Sequence, residues 1–267
     1  MTKIKKEFGL LLNTKHIDIK NGVALAKNLN IDTIQLYAIH EQQNLATLSK
    51  NKQAQLKKFF SNSGIKVPSL AINFGSKGLL SASKDILITQ FEQILELGLT
   101  LDSTIISAHI GEIPSKEDSE VYEKMLSICD EIGSISYSSQ RIFAIETGSE
   151  KANVLDTFLR KINSKGLGVN FDPSNIISGT NENPLQSLTV LKEHVVQTHI
   201  KDCKKIHSEQ SVFYKEVAAG KGEVDFKSLF SSLDQSNYKG LHIIENSNYF
   251  DSENGIKQSF DFIKNLL

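Results

Sequence analysis

Three observations predict an α/β protein folded as a single closed (β/α)8 TIM barrel over residues 1–267. Eight strand signals alternate with amphipathic stretches, no linker or low-complexity segment divides them, and the length is close to the ~250 residues usual for that architecture. A doubly wound open sheet is the competitor. It would need a glycine fingerprint at its first βα turn to hold a dinucleotide, and "EFGLLLNTKHID" carries none.

Taken in order, the strand candidates are short runs rich in apolar and β-branched residues. They are "EFGLLL" (7–12), "DTIQLYA" (32–38), "IKVPSLAI" (65–72), "STIISAH" (103–109), "RIFAIE" (141–146), "LGVNFD" (167–172), "VVQTHI" (195–200) and "LHIIE" (241–245). Between them, "NKQAQLKKFFSNSG" (51–64), "DILITQFEQILELG" (85–98), "EDSEVYEKMLSICDEIG" (117–133) and "VLDTFLRKINSKG" (154–166) read as amphipathic helices. Their closing glycines are expected at the left-handed position past a helix end. Asp225 is the expected N-cap of a helix in "EVDFKSLFSSLD" (223–234), and "ENGIKQSFDFIKNLL" (253–267) closes the chain as a final helix.

Composition narrows the function classes. A net charge of −1 and a pI near 6.7 give no global electrostatic footprint for nucleic acid or an anionic membrane. Cys129 and Cys203 are too few for a disulfide scaffold and lack CxxC spacing, which suits a reducing compartment. "FGLLL" is shorter than a signal-peptide core, and no later run approaches a membrane span. The expectation is a soluble cytoplasmic protein with no nucleic-acid or membrane partner.

The strand ends carry the chemistry. The fifth strand ends at Glu146, the sixth at Asp172 ahead of Pro173, the seventh reaches His199, and the eighth ends at Glu245. Neighbouring strands lie about 4.8 Å apart, so four successive ends on a curved wall can converge on one point. The period of two agrees: with these four inward, Asn170 and Gln197 also point inward, while Phe171, Ile200 and Ile244 face the helices. Singly, Asp172 could cap a turn and Glu146 could begin a helix. Jointly, three carboxylates around an imidazole would repel or take up protons unless a divalent cation joined them. One nitrogen with three carboxylates is a hard donor set that suits one divalent ion, Mn²⁺ first, with Mg²⁺, Co²⁺ or Zn²⁺ as alternatives.

Other polar residues have weaker patterns. His109 and Lys201 share the inward parity and are candidates to touch substrate hydroxyls or stabilise an oxyanion, against ordinary roles as a structural histidine and a loop salt-bridge partner. Asn175 either hydrogen-bonds the hydroxyls of a bound ligand or closes the turn after Pro173. His242 has outward parity and is expected in the core, while His16, His40, His194 and His207 join no constellation. "KDCKKIH" reads as a solvated basic loop, and "AGKGEV" as a turn that needs no phosphate.

"ISAHIGEIP", "FAIETGSE", "VNFDPSNIISG", "THIKD", "VAAGKGEVDF" and "HIIEN", in this order over about residues 103–246, resemble the xylose isomerase-like TIM barrels of the sugar phosphate isomerase/epimerase group. That group includes tagatose and psicose 3-epimerases, inosose dehydratase and, more distantly, type IV endonucleases. The resemblance implies Glu146, Asp172, His199 and Glu245 as ligands of one divalent metal, with Glu146 and Glu245 doubling as the acid/base pair. Glu150 loosely matches a substrate-binding acid of the epimerases, with support of a helix N-terminus as its ordinary role.

There are departures from the pattern. Gln35 stands where many relatives carry an acid, Asn175 where the 3-epimerases and endonucleases have a histidine, and "HIKDCKKIH" lacks their arginine, for which Lys204 or Lys205 would have to serve. The chemistry implied is removal of a proton beside a carbonyl to give an enediolate, with return to the other face or shuttling between oxygens. A sugar or sugar-phosphate isomerase or epimerase of carbohydrate metabolism, compatible with a homo-oligomer, is the expected function. A dehydratase on the same site, a noncatalytic sugar-binding barrel and an abasic-site endonuclease are the alternatives.

Overall fold

The structure is a computed structural model that describes residues 7–14, 17–40, 43–117, 119–208, 211–246 and 252–266; His16 and Leu267 lie outside the described residues. Eight parallel strands close into the expected barrel. They are β1 (Phe8–Leu12), β2 (Thr33–His40), β3 (Lys66–Ile72), β4 (Ile105–Ala108), β5 (Ile142–Glu146), β6 (Leu167–Phe171), β7 (Val195–Ile200) and β8 (Leu241–Ile244). Each pairs with its sequence neighbours, and β1 pairs with both β2 and β8, so the parallel ring has no open edge.

Among the described residues, eight helices of eight or more residues surround the ring: α1 (Ile19–Asn28), α2 (Lys50–Asn62), α3 (Lys84–Leu101), α4 (Glu120–Ser138), α5 (Ala152–Ile162), α6 (Pro184–Leu191), α7 (Phe226–Gln235) and α8 (Ser252–Leu266). Asp225 caps α7 as the sequence predicts, accepting from the Ser228 N–H at 3.1 Å. Sequence reading does not identify α1 and α6. In α1, Gly22 lowers helix propensity but lets the helix meet β1, because a Cβ there would lie 2.4 Å from Leu12. α6 is a short helix begun by Asn183 and Pro184.

The expected glycine stops hold only at Gly64, with φ +69°, just past α2. Gly98 and Gly133 lie inside helices that run on, and Asp102, Gln140 and Asn163 take the left-handed positions at or just past the ends of α3, α4 and α5. Gly133 and Gly166 serve close packing instead: a Cβ on Gly166 would stand 2.0 Å from the Gly133 carbonyl oxygen. A second correction concerns "KDCKKIH". Residues Asp202–His207 and Val212–Val217 pair as an antiparallel hairpin outside the barrel, not as a loop.

The barrel interior is layered. Leu11, Ala71, Ile105, Ala144, Leu241 and Ile243 make a small apolar cluster separate from the large core between sheet and helices. The buried polar side chains of Gln35, Ser69, Ser107, Asn170 and Gln197 share these strands, with Leu11 in register with Gln35, Ala144 with Ser107 and Leu241 with Gln197. Strand period fixes what comes next: two residues further along β5, β6, β7 and β8 the side chains enter the mouth at the strands' carboxyl ends, where barrels of this architecture hold their sites.

Candidate metal centre and active site

Glu146, Asp172, His199 and Glu245 each turn one donor atom to a common point, and these four atoms lie within 4.8 Å of one another. The strands bring them there through register, with Glu146 beside Asn170 and Asn170 beside Gln197. His199 Nδ1 lies 2.7 Å from Glu245 Oε2, 3.4 Å from Glu146 Oε1 and 3.7 Å from Asp172 Oδ2.

Asp172 combines the two roles its sequence position suggests. Its Oδ1 accepts from the Asn175 N–H at 2.9 Å, capping the short turn Pro173–Asn175, while the buried Oδ2 has no hydrogen-bond partner and faces the cluster. The Thr147 hydroxyl accepts from the Asp172 N–H at 2.9 Å and ties this backbone to β5. A buried carboxylate oxygen left without a donor beside two further carboxylates fits a cation. The donor set of one imidazole nitrogen and three carboxylates therefore suits a divalent metal.

His199 is oriented from behind. Its Nε2 lies 2.9 Å from Gln35 Oε1, so Nδ1 is the nitrogen turned to the carboxylates. Gln35 is wholly buried, and its amide oxygen meets the imidazole. Asn170 Nδ2 donates to Glu146 Oε2 at 3.3 Å and Asn175 Nδ2 to Glu146 Oε1 at 3.0 Å. Asn175 thus closes the turn with its backbone and reaches Glu146 and His109 with its side chain, 3.2 Å from His109 Nε2.

Electrostatics follow from this crowding. Burial alone would raise Glu146, but the His109 and His199 charges and their hydrogen bonds hold its carboxyl well below the usual range. Burial likewise opposes ionisation of Glu245, and Lys201 and His199 bring it down to about 2. Conversely, burial disfavours charged His199, yet Glu146 and Glu245 raise it well above its ordinary value. His109 rises to about 8, with burial opposing and Glu146 driving the shift.

Lys201 Nζ sits 3.0 Å from Glu245 Oε1 and 3.6 Å from Asp172 Oδ2, inside the site as its parity suggests and already paired there. His109 lies 3.2 Å from Glu146 Oε1 and is half exposed at the mouth. Glu150 is buried apart from the four-residue cluster, near Ile113. Burial pushes its carboxyl up to about 7 against the pull of the Ile113 N–H, and neither oxygen has a hydrogen bond of ordinary geometry. His242 is in the core, packed on Phe8, Phe230 and Tyr238, with Nδ1 2.7 Å from Thr198 Oγ1. His194 pairs with Asp156 at 3.1 Å, away from the site.

Two residues that sequence reasoning does not single out belong here. Tyr37, two residues past Gln35 on the inward face of β2, has its hydroxyl pushed up by burial and by the charges of Glu245 and Glu146. Extending the period-two test to the second strand would have found it. Asp202 lies beneath the mouth, wholly buried, and accepts the N–H groups of Cys203, Gly220, Gly222 and Val224 at 2.8–3.1 Å. The glycine N–H groups of "AGKGEV" are therefore occupied by a carboxylate of the chain itself, in keeping with a turn that cradles no phosphate.

Residues 23–266 match the protein family described as xylose isomerase-like TIM barrel, so the likeness begins well before residue 103. A putative L-ribulose-5-phosphate 3-epimerase of Haemophilus influenzae, SgbU, is 26% identical over 247 residues, covering 86% of this chain and 84% of that protein. A xylose isomerase domain protein from Planctomyces limnophilus has the same fold, with a TM-score of 0.84 at 20% identity over 98% of each chain. A xylose isomerase-like TIM barrel protein from Mycobacterium smegmatis, solved with magnesium, has a TM-score of 0.76 at 12% identity over 92% of this chain and 87% of its own. With the barrel closed and the match spanning nearly all of it, the chain belongs to the xylose isomerase-like TIM barrel family.

Proposed function

We propose that this protein is a divalent-metal-dependent isomerase or epimerase of a sugar or sugar phosphate, with Glu146 and Glu245 as its acid/base pair. The observation that carries the reading is the convergence of Glu146, Asp172, His199 and Glu245 within 4.8 Å at the carboxyl ends of four successive strands. Similarity to a putative sugar-phosphate 3-epimerase supports the substrate class, and a relative solved with magnesium supports the metal. Glu146, Asp172, His199 and Glu245 would hold the ion, which would supply positive charge to substrate oxygens as a neighbouring C–H is deprotonated.

The chain's own groups do the rest. One glutamate accepts the proton, the other delivers one, and the two come from β5 and β8 with two strands between them. Lys201, bonded to Glu245 Oε1, and His109, bonded to Glu146 Oε1, each flank one member of the pair and stand ready to meet substrate oxygens. Asn175 offers an amide and Glu150 a buried carboxyl as hydrogen-bonding groups for hydroxyls. An amide at position 175, committed to Glu146 and His109, is a poor zinc ligand and disfavours a multi-zinc nuclease.

The test incubates Mn²⁺-loaded protein with a panel of ketoses, inososes and ketose phosphates in deuterated water, followed by NMR and product analysis. Deuterium at a carbon beside the carbonyl with an isomeric product is expected. Nicking of abasic duplex DNA that depends on Glu146, with no exchange into any sugar, would overturn the reading; a dehydrated product would assign the lyase.

A further inference from the structure

We infer that Gln35 is the positioning residue that fixes which nitrogen of His199 faces the metal, through a hydrogen-bond chain anchored on Ser69 and Ser107. The inference rests on the divalent-metal reading of the site. Gln35, Ser69, Ser107 and His199 are all buried, on β2, β3, β4 and β7, so the chain crosses the barrel interior rather than following one sheet edge.

The Gln35 amide nitrogen lies 3.0 Å from Ser69 Oγ and 2.8 Å from Ser107 Oγ. A primary amide has two N–H donors, both on nitrogen, so two serine contacts commit that side. The oxygen is left for His199, 2.9 Å from Nε2. A carbonyl only accepts, so Nε2 must carry hydrogen. In the neutral ring Nδ1 then holds the lone pair, and Nδ1 is the atom 2.7 Å from Glu245 and 3.4 Å from Glu146. Asn170 Nδ2 also lies 3.1 Å from Nε2 and donates to Glu146 Oε2; its nitrogen offers no acceptor, so Gln35 Oε1 is the acceptor for an Nε2–H.

A flipped Gln35 amide would set an NH₂ against Nε2 and move the ring hydrogen to Nδ1, where it would block ligation. Serine hydroxyls can accept from both amide N–H groups in this orientation, and a ring nitrogen that carries hydrogen can be met only by the amide oxygen. A neutral amide does this without adding a fourth negative charge to three carboxylates. The residues that orient a ligating histidine typically contribute about 10–100-fold in metal affinity.

The experiment measures Zn²⁺ affinity by chelator competition and follows ring hydrogens by ¹⁵N-histidine NMR of the Zn²⁺-loaded protein. The wild type is expected to bind one Zn²⁺ and to show a His199 Nε2–H that exchanges slowly with water. Gln35→Leu should weaken Zn²⁺ binding about 10–100-fold and speed that exchange, and Gln35→Glu, which keeps an acceptor, should recover affinity to within about tenfold of wild type. The double variant Ser69→Ala/Ser107→Ala, neither residue within the metal cluster, should also bind Zn²⁺ several-fold more weakly. Unchanged Zn²⁺ affinity in Gln35→Leu, or a loss in Gln35→Glu as large as in Gln35→Leu, would overturn the inference. Should Gln35→Leu not fold, unchanged affinity in the serine pair overturns it. A wild type that takes up no divalent ion would instead remove the metal reading itself.

Discussion

Replacing Glu150 with glutamine should remove one pH-dependent limb of the protein's stability. Glu150 is 7% exposed, and neither carboxyl oxygen has a hydrogen bond of ordinary geometry. Burial pushes the carboxyl from its ordinary 4.5 up to about 7, with the Ile113 N–H and His109 pulling the other way. The folded state therefore keeps a proton that the unfolded chain gives up earlier. The sign follows: the stabilisation is fully present below the unfolded value, and it is lost as pH rises through the folded one. The interval from 4.5 to about 7, at ~1.36 kcal/mol per pH unit, makes the loss on the order of 3 kcal/mol.

Glutamine does not titrate, so only the difference between the two proteins isolates this group; burying the amide shifts that difference by a constant. The assay is urea unfolding of wild type and Glu150→Gln in half-unit steps from about pH 4 to 9. Wild type should lose about 3 kcal/mol relative to the variant across that range, half of the change falling by about pH 6. Parallel curves would refute the reasoning, because they would mean that the carboxyl is hydrated or ion-paired in the folded state.

Zn²⁺ binding to the metal-free protein should release protons, since burial is outweighed by Glu146 and Glu245 in raising His199, whose ring must be neutral to ligate. Apparent affinity should then rise with pH, and calorimetric heats should differ between buffers of different ionisation enthalpy; equal heats would contradict this. Glu245→Gln should lose at least about a hundredfold in deuterium exchange while sugar binding survives, and full exchange would show that the role lies elsewhere. Asp202→Asn cannot accept all four backbone N–H groups and should lower stability by about 1–3 kcal/mol; an unchanged urea midpoint at pH 7 would argue against that anchoring role.

What was legible in the sequence was periodic. All eight strands were marked by short apolar runs, and the same period of two put Glu146, Asp172, His199 and Glu245 inward before any coordinates were needed. Non-local features were hidden. Gln35 reads as an isolated polar residue because its partners Ser69, Ser107 and His199 lie on three other strands. Glu150 reads as a helix-start acid because the Ile113 segment that covers it is distant in sequence. The hairpin ending at Val217 was missed because no residue of its second strand is fully buried, so "VFYKEV" lacks the apolar alternation of a covered strand. Helix ends misled in another way: Asp102 and Gln140 take the left-handed positions past α3 and α4, so the glycines inside these helices were free for packing.

The charges in the mouth bear on how the two glutamates would divide the work proposed for them. Three carboxylates face Lys201, His199 and His109, and the protons of the metal-free protein settle on the imidazoles, while Glu146 and Glu245 stay ionised. A cation would therefore displace protons from histidine and leave the carboxylates as they are. The two acids nevertheless sit in different surroundings. Glu146 has His109 and His199 near Oε1 but is also held by neutral donors on both oxygens, Asn175 on Oε1 and Asn170 on Oε2, so part of its support does not depend on the charge nearby. Glu245 depends on ionic partners, Lys201 on Oε1 and His199 on Oε2, and both partners respond to what enters the site. A carboxylate whose partners change with occupancy is the one whose basicity can change during a reaction, which favours Glu245 as the group that first takes the proton and Glu146 as the fixed member of the pair.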